Sequence, residues 1–247
     1  MKNVIGWIGL VVLGLASSLS SPASEATGTL WSVTSFGADD YFQEPSDIAV
    51  DRERSLIYVV DAGSARVLAF DLAGKFLRAV GRKGQGPGEF VRPTGACVVA
   101  GGDLAVADFG AGRIEIFDPS GTFLRQAQVT DTRVADLVQA GELFYTVPSF
   151  GTSGYAVTMG SEAKGQPLVN VLDGSGQRVA EISTGDFPET HPFIRAIKHR
   201  VSLALSPRGR LVMVYFAANL IQIFERTGEK VAEFSRALPF EPMTPAL

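Results

Sequence analysis

Few side chains in this 247-residue chain could make or break bonds, and their spacing limits what they could do. The one cysteine, Cys97, lies inside the apolar run Ala96-Cys97-Val98-Val99. A lone cysteine forms no intramolecular disulfide, and a thiol in such a run reads as a small buried strand residue; a nucleophilic thiolate would need a base beside it. His191 and His199 stand among structure-breaking residues with no third nitrogen or sulfur ligand near them, which gives zinc chemistry little to stand on. Gly84, Gly86 and Gly88 superficially suggest a phosphate cradle. Their spacing fits neither nucleotide-binding pattern, and Pro87 removes an amide donor such a cradle needs, so a tight connection between structural units is the better reading.

Composition narrows the classes further. The chain is 46% hydrophobic, which excludes intrinsic disorder and supplies one sizeable core. Lys and Arg number 22 against 26 Asp and Glu, a net charge of −4, and the only adjacent basic pair outside the termini that stands out is Arg82-Lys83. No nucleic-acid footprint is present in that distribution. At the N-terminus, Lys2 precedes the uncharged apolar run Val4 to Ala16, which is too short to span a bilayer, and Ser17 to Pro22 follows. Residues 1–26 therefore read as a secretory signal peptide cut after Ala23 or Ala26, and the mature domain, 27–247, is expected to be exported to the periplasm or the extracellular space.

The elements that must position any site come from a repeat. The stretch from Tyr58 to Arg78 recurs 47 positions later as Ala105 to Arg125, with Asp61/Asp108, Gly63/Gly110, Arg66/Arg113, Phe70/Phe117, Asp71/Asp118, Gly74/Gly121 and Phe76-Leu77-Arg78/Phe123-Leu124-Arg125 matching without a gap. Weaker copies follow at Val169 to Gly176 and Ile221 to Gly228, with anchor acids Asp173 and Glu225. A Gly/Ser-rich stretch, Ser149 to Gly165, lengthens the interval between the second and third copies. Each unit reads as four short strands separated by turn residues, for the first unit Asp47 to Val50, Leu56 to Val60, Val67 to Asp71 and Phe76 to Val80. Strands such as Ile57-Tyr58-Val59-Val60 are apolar on both faces, as a sheet sandwiched between two others requires. The fold class predicted is all-β, a propeller of four-stranded antiparallel blades.

The pattern Ile57 to Asp61, Arg66 to Phe70, Gly74-Lys75-Phe76 and Gly81 to Phe90 resembles the NHL-repeat and bacterial six-bladed β-propeller (TolB-like) families. That resemblance is strongest over residues 45–125 and implies a six-bladed ring. The repeats supply about four blades, near 45–90, 91–130, 131–184 and 197–236, and residues 30–37 read as an outer strand without a blade of its own. A C-terminally truncated six-bladed protein or an open arc is expected.

Strand parity puts the loop between a blade's second and third strands on the same side as the connection to the next blade. That face carries Asp61, Arg66, Asp108 and Arg113 together with Arg82, Lys83, Gln85, Glu89 and Arg92. The Asp and Arg pairs have a structural reading, with a turn-opening Asp holding backbone amides and receiving an Arg across its hairpin. The favoured function is an exported binding or scaffold protein with an unknown protein or small-molecule partner on this face, with Arg82, Lys83 and Glu89 as the exposed contacts and no cofactor. The alternative is a lactonase-like, metal-dependent hydrolase or lyase. Some propeller lactonases and lyases hold a divalent cation in the central channel, where this chain offers Asp47, Asp136 and Ser202, a set that falls short of that arrangement.

Overall fold

A computed structural model of the chain describes residues 32–33, 36, 40–129, 133–149, 169–183, 201–215 and 219–235. Residues 1–26, His191, His199 and, apart from Ser149, the Gly/Ser-rich stretch to Gly165 lie outside the described residues.

Four antiparallel four-stranded sheets follow one another along the chain in a propeller arrangement. The first is β1 (Pro45–Asp51), β2 (Leu56–Asp61), β3 (Arg66–Asp71) and β4 (Phe76–Val80). The connection out of it holds two short strands, β5 (Arg82–Lys83) and β6 (Glu89–Phe90), which pair in parallel. The second sheet is β7 (Pro93–Val98), β8 (Leu104–Asp108), β9 (Arg113–Phe117) and β10 (Phe123–Gln128). The third is β11 (Arg133–Ala140), β12 (Leu143–Ser149), β13 (Val169–Leu172) and β14 (Arg178–Ile182), and the fourth is β15 (Val201–Leu205), β16 (Leu211–Tyr215), β17 (Leu220–Phe224) and β18 (Lys230–Ser235). The innermost strands β1, β7, β11 and β15 pack in that succession.

Three of the four anchor acids close the hairpins between third and fourth strands with a side-chain oxygen, while the carboxylate of the fourth, Glu225, accepts from Arg210. Asp71 Oδ1 accepts from the amides of Ala73 and Lys75, Asp118 Oδ1 from Ser120 and Thr122, and Asp173 Oδ1 from Ser175 and Gln177. Each turn then needs a left-handed residue, and glycine at 74, 121 and 176 supplies it with φ of 81°, 90° and 91°. One side-chain oxygen thus does the work of a turn, which is why an acid and a glycine recur at fixed spacing.

Between neighbouring sheets the two-faced strands bury separate layers. Tyr58, Val60, Val67, Ala69 and Val80 meet Leu104, Val106 and Phe117 between blades one and two. Ile114, Ile116 and Ala105 meet Leu137, Phe144 and Leu172 between blades two and three, and Tyr145 and Val171 meet Leu211, Met213 and Phe224 between blades three and four. Phe70, Phe117 and Phe224 occupy equivalent positions on their third strands and are all buried, as the repeat register requires.

A polar device repeats across the same seams. The second residue of each later hairpin offers its carbonyl to the preceding blade: Arg78 donates to Pro119 O, Arg125 Nη1 to Gly174 O at 2.8 Å, and Tyr145 Oη to Arg226 O at 2.9 Å. Among the described residues, no helix is long and apolar enough to cross a membrane.

Candidate functional site

The face singled out by strand parity is built around two buried aspartates. Asp108, at the end of β8, accepts from the amides of Val91 (2.9 Å), Arg92 (2.8 Å) and Ala111 (3.3 Å). Asp61, at the end of β2, does the same for Gln43 (2.9 Å) and Glu44 (2.8 Å). Each aspartate pins the segment that leads into its own blade's innermost strand, and the two segments are equivalent, because Phe42 stacks beside Phe70 as Phe90 does beside Phe117.

The paired arginines then diverge. Arg66 makes a bidentate contact with Asp40 (2.9 and 2.7 Å), lies 3.5 Å from Asp61 and sits over the Phe36 ring. Arg113 is buried and turns its guanidinium into the Gly81–Pro93 connection, donating to the carbonyls of Gln85 (3.0 Å), Gly86 (2.9 Å) and Glu89 (2.7 Å). The connection is closed from within as well. Gly84 N donates to Phe90 O, Glu89 N to Gly86 O, and Gly86 N to Glu89 Oε2, while Arg82 binds Glu89 Oε1 at 2.9 Å. These contacts hold the Glu89 carboxyl below its ordinary range, the Gly86 amide first and Arg82 second. A Cβ at Gly84 would lie 2.5 Å from the Glu89 carboxyl carbon and one at Gly81 2.2 Å from the Phe90 ring, so the glycines here make room for the loop's own side chains.

The candidate residues therefore separate into two groups. Asp61, Asp108 and Arg113 are buried and form the frame. Arg82 (81% exposed), Lys83 and Gln85 face solvent, and Arg92 reaches Glu44 at 2.7 Å. Glu89, expected as an exposed contact, is instead half-buried, because both its oxygens close the loop.

On the innermost strands, Asp47 and Asp136 each reach from a β-bulge to the next blade. Asp47 Oδ2 accepts from Ala96 N at 2.8 Å; Asp136 Oδ2 accepts from Ser202 Oγ and Leu203 N, both at 2.9 Å. Their other oxygens take the amides of Ile48 and Leu137. Burial, and then the charge of Asp136, pushes Asp47 up to about 7, and burial likewise raises Asp136. The Cys97 thiol nearby is raised by burial and by both aspartates, the opposite of what activates a nucleophile. Each of the four carboxylate oxygens thus accepts a backbone amide.

One buried acid escaped notice in the sequence. Glu115, in β9, is fully buried, with Arg113 Nη2 at 2.7 Å from Oε1 and the Gly88 amide acting on the same carboxyl. Its signal was an acid in Ile114-Glu115-Ile116, where the first copy of the repeat has Leu68.

A family model described as a six-bladed β-propeller (DUF5128) matches residues 37–171, more than half of the chain. Among solved structures, the chain is similar to a protein of Bacteroides fragilis described as exported, at 14% identity and a TM-score of 0.56 over 77% of this chain and 50% of that one. It is also similar to hydrazine synthase of Kuenenia stuttgartiensis (17% identity, TM-score 0.51, 78% of this chain and 49% of that one). Virginiamycin B lyase of Staphylococcus aureus is a third such structure (12%, 0.50, 78% and 55%). At these identities the likeness is one of fold, and the chain spans about half the length of the proteins it matches.

Proposed function

The chain belongs to the six-bladed β-propeller family, and from that premise we propose that it is an exported, NHL-type binding or scaffold protein whose working surface is the face carrying the Gly81–Pro93 connection. The observation that supports this reading is the division of labour within that connection. Its inward groups are satisfied by Arg113, Glu89 and Asp108, while Arg82, Lys83 and Gln85 remain exposed on a backbone already fixed. A preformed loop loses little conformational entropy on binding, and rigid scaffolds with polar loop surfaces are where recognition concentrates. The two cations give the surface a preference for a partner with acidic groups.

Affinity capture from cell extract, run in parallel with the wild type and with Lys83→Glu, which leaves the Arg82–Glu89 contact in place, tests the assignment. Species retained by the wild type and lost by the variant, at an unchanged melting temperature, support it; identical retention by both places the working surface elsewhere. Export is tested separately by mass spectrometry of the secreted fraction, where a chain starting at Ser24 or Thr27 is expected and an intact Met1 would refute the signal peptide.

A further inference from the structure

Position by position, the repeat shows which face of a blade receives the next one. Nine residues after each anchor acid the outermost strand carries an apolar side chain, Val80, Ala127, Ile182 and Phe234, paired in register with Val67, Ile114, Val169 and Ile221. In the first three blades that side chain is at most 5% exposed, because the following blade covers it. Phe234 is 58% exposed, and Ile221 and Ile223 are half-buried where their counterparts Val67 and Ala69 are fully buried. Among the described residues no further sheet follows blade four. Blade one shows the reverse on its other side. Ile57 and Val59 are half-buried where Leu104 and Val106, their counterparts 47 positions on, are fully buried against blade one, and Ile48 and Val50 are exposed. Beside them the rings of Phe36, Phe42, Phe70 and Phe76 lie 5.2 to 6.0 Å apart.

We propose that these two faces are the halves of one contact between copies of this chain, the blade-four face of one copy seating on the blade-one face of the next. The seams inside the chain say what fits: a face of the first kind is covered each time by a face of the second kind. In the seam between blades one and two, Val80 shares a cluster with Phe90 and Phe117, whose counterparts in blade one are Phe42 and Phe70. Phe234 of one copy therefore meets the phenylalanine cluster of the next, where ring contacts add to the burial of apolar surface. The contact is heterologous, each copy giving one face and receiving with the other, so it is not limited to two copies. It uses none of Arg82, Lys83 and Gln85 and stands independently of the binding face proposed above.

Sedimentation velocity of the purified chain over a wide concentration range tests the contact. The wild type should gain mass with concentration, passing that of two chains. Phe234→Glu and Ile48→Glu/Val50→Glu each put charge on one face, at exposed positions that leave the fold intact, and each should need at least roughly tenfold more protein to assemble. Mixed together, the two variants retain one intact face each, and a particle of two chains and no larger is expected. A wild type with the mass of one chain at every concentration overturns the proposal and means that Phe234 is covered within a single chain. Folded variants that assemble as the wild type does, or whose mixture stays monomeric, overturn it as well. Because either variant could fold poorly, radical footprinting is also run on the wild type alone: labelling of the Phe234 ring should fall as mass rises, and constant labelling in the assembled state overturns the contact without recourse to any variant.

Discussion

Asp108 shows how a single carboxylate organises a surface loop from below. Its two oxygens satisfy three backbone amides, and it has no solvent exposure of its own. Asp108→Ala strands those amides, at a cost of about 3 kcal/mol. The expected outcome in urea unfolding is a lower midpoint with an unchanged slope; a loss below about 1 kcal/mol would mean that water replaces the carboxylate. The structural role of Asp61 and Asp108 was legible in the sequence because a turn-opening Asp paired with Arg has a local mechanism. What was not legible was where the two arginines go: Arg66 turns to Asp40 and Arg113 to Gln85, Gly86 and Glu89, partners that differ although the repeat positions match. The first copy has Asp40 where the second has Gly88 two residues before the buried Phe, so the acid at Asp40 is replaced by backbone carbonyls in the second. Glu115 was missed for a related reason, since its neighbours Ile114 and Ile116 fit a buried strand and only comparison with Leu68 exposes the anomaly.

At the scale of strands and hairpins, the blade boundaries were visible because turn chemistry is local. β2 to β4 match the sequence reading to within a residue, since Asp71 and Gly74 fix the hairpin and the apolar runs between breakers have no other use. The seams between blades were only half visible. Phe117, in contact with Phe90 and Phe123 at ring separations of 5.5 and 5.9 Å, was placed by the repeat. Phe117→Ala should cost about 3–5 kcal/mol through lost burial and the cavity left behind, and a loss below about 1 kcal/mol in chemical denaturation would put the register in error. The hairpin staples Arg125 to Gly174 and Tyr145 to Arg226 join residues 49 and 81 positions apart, and although Arg78 and Arg125 match in the repeat, nothing in the sequence pairs either arginine with the hairpin of the next blade. Tyr145→Phe removes one such bond while keeping the ring, so it should cost about 1 kcal/mol. The same denaturation experiment would show no change if Arg226 O were satisfied by solvent instead.

The whole molecule depends on how successive blades are tied together near the axis, and there the bonds are acidic. Asp47 joins β1 to Ala96 in β7, and Asp136 joins β11 to Ser202 and Leu203 in β15. Between them, at the matching bulge of β7, stands Gly95, where a Cβ would lie 3.1 Å from Asp136 Cα and 3.4 Å from its Oδ1. A third carboxylate would crowd the other two, so glycine at this position lets the inner strands approach. The arrangement has a pH signature. Burial and the neighbouring Asp136 raise Asp47 to about 7 in the folded chain, above its ordinary 3.8, so its contribution to stability is full below the ordinary value and is lost as pH rises through about 7. Half-burial admits some solvent screening, and the loss attributable to Asp47 between pH 4 and pH 8 is about 2 kcal/mol. Asp47→Asn keeps an acceptor for the Ala96 amide and carries no charge, so its urea midpoint should fall less over that range than the wild type's. Glu115 titrates in the same window but at the third strand of blade two, apart from the axis, and groups that do not touch contribute additively. Asp47→Asn/Glu115→Gln should consequently have the flattest profile of the four proteins, each single variant lying between it and the wild type. If Asp47→Asn instead follows the wild type at every pH, the aspartate is ionised throughout, and the attraction of its two amide donors outweighs burial at the axis.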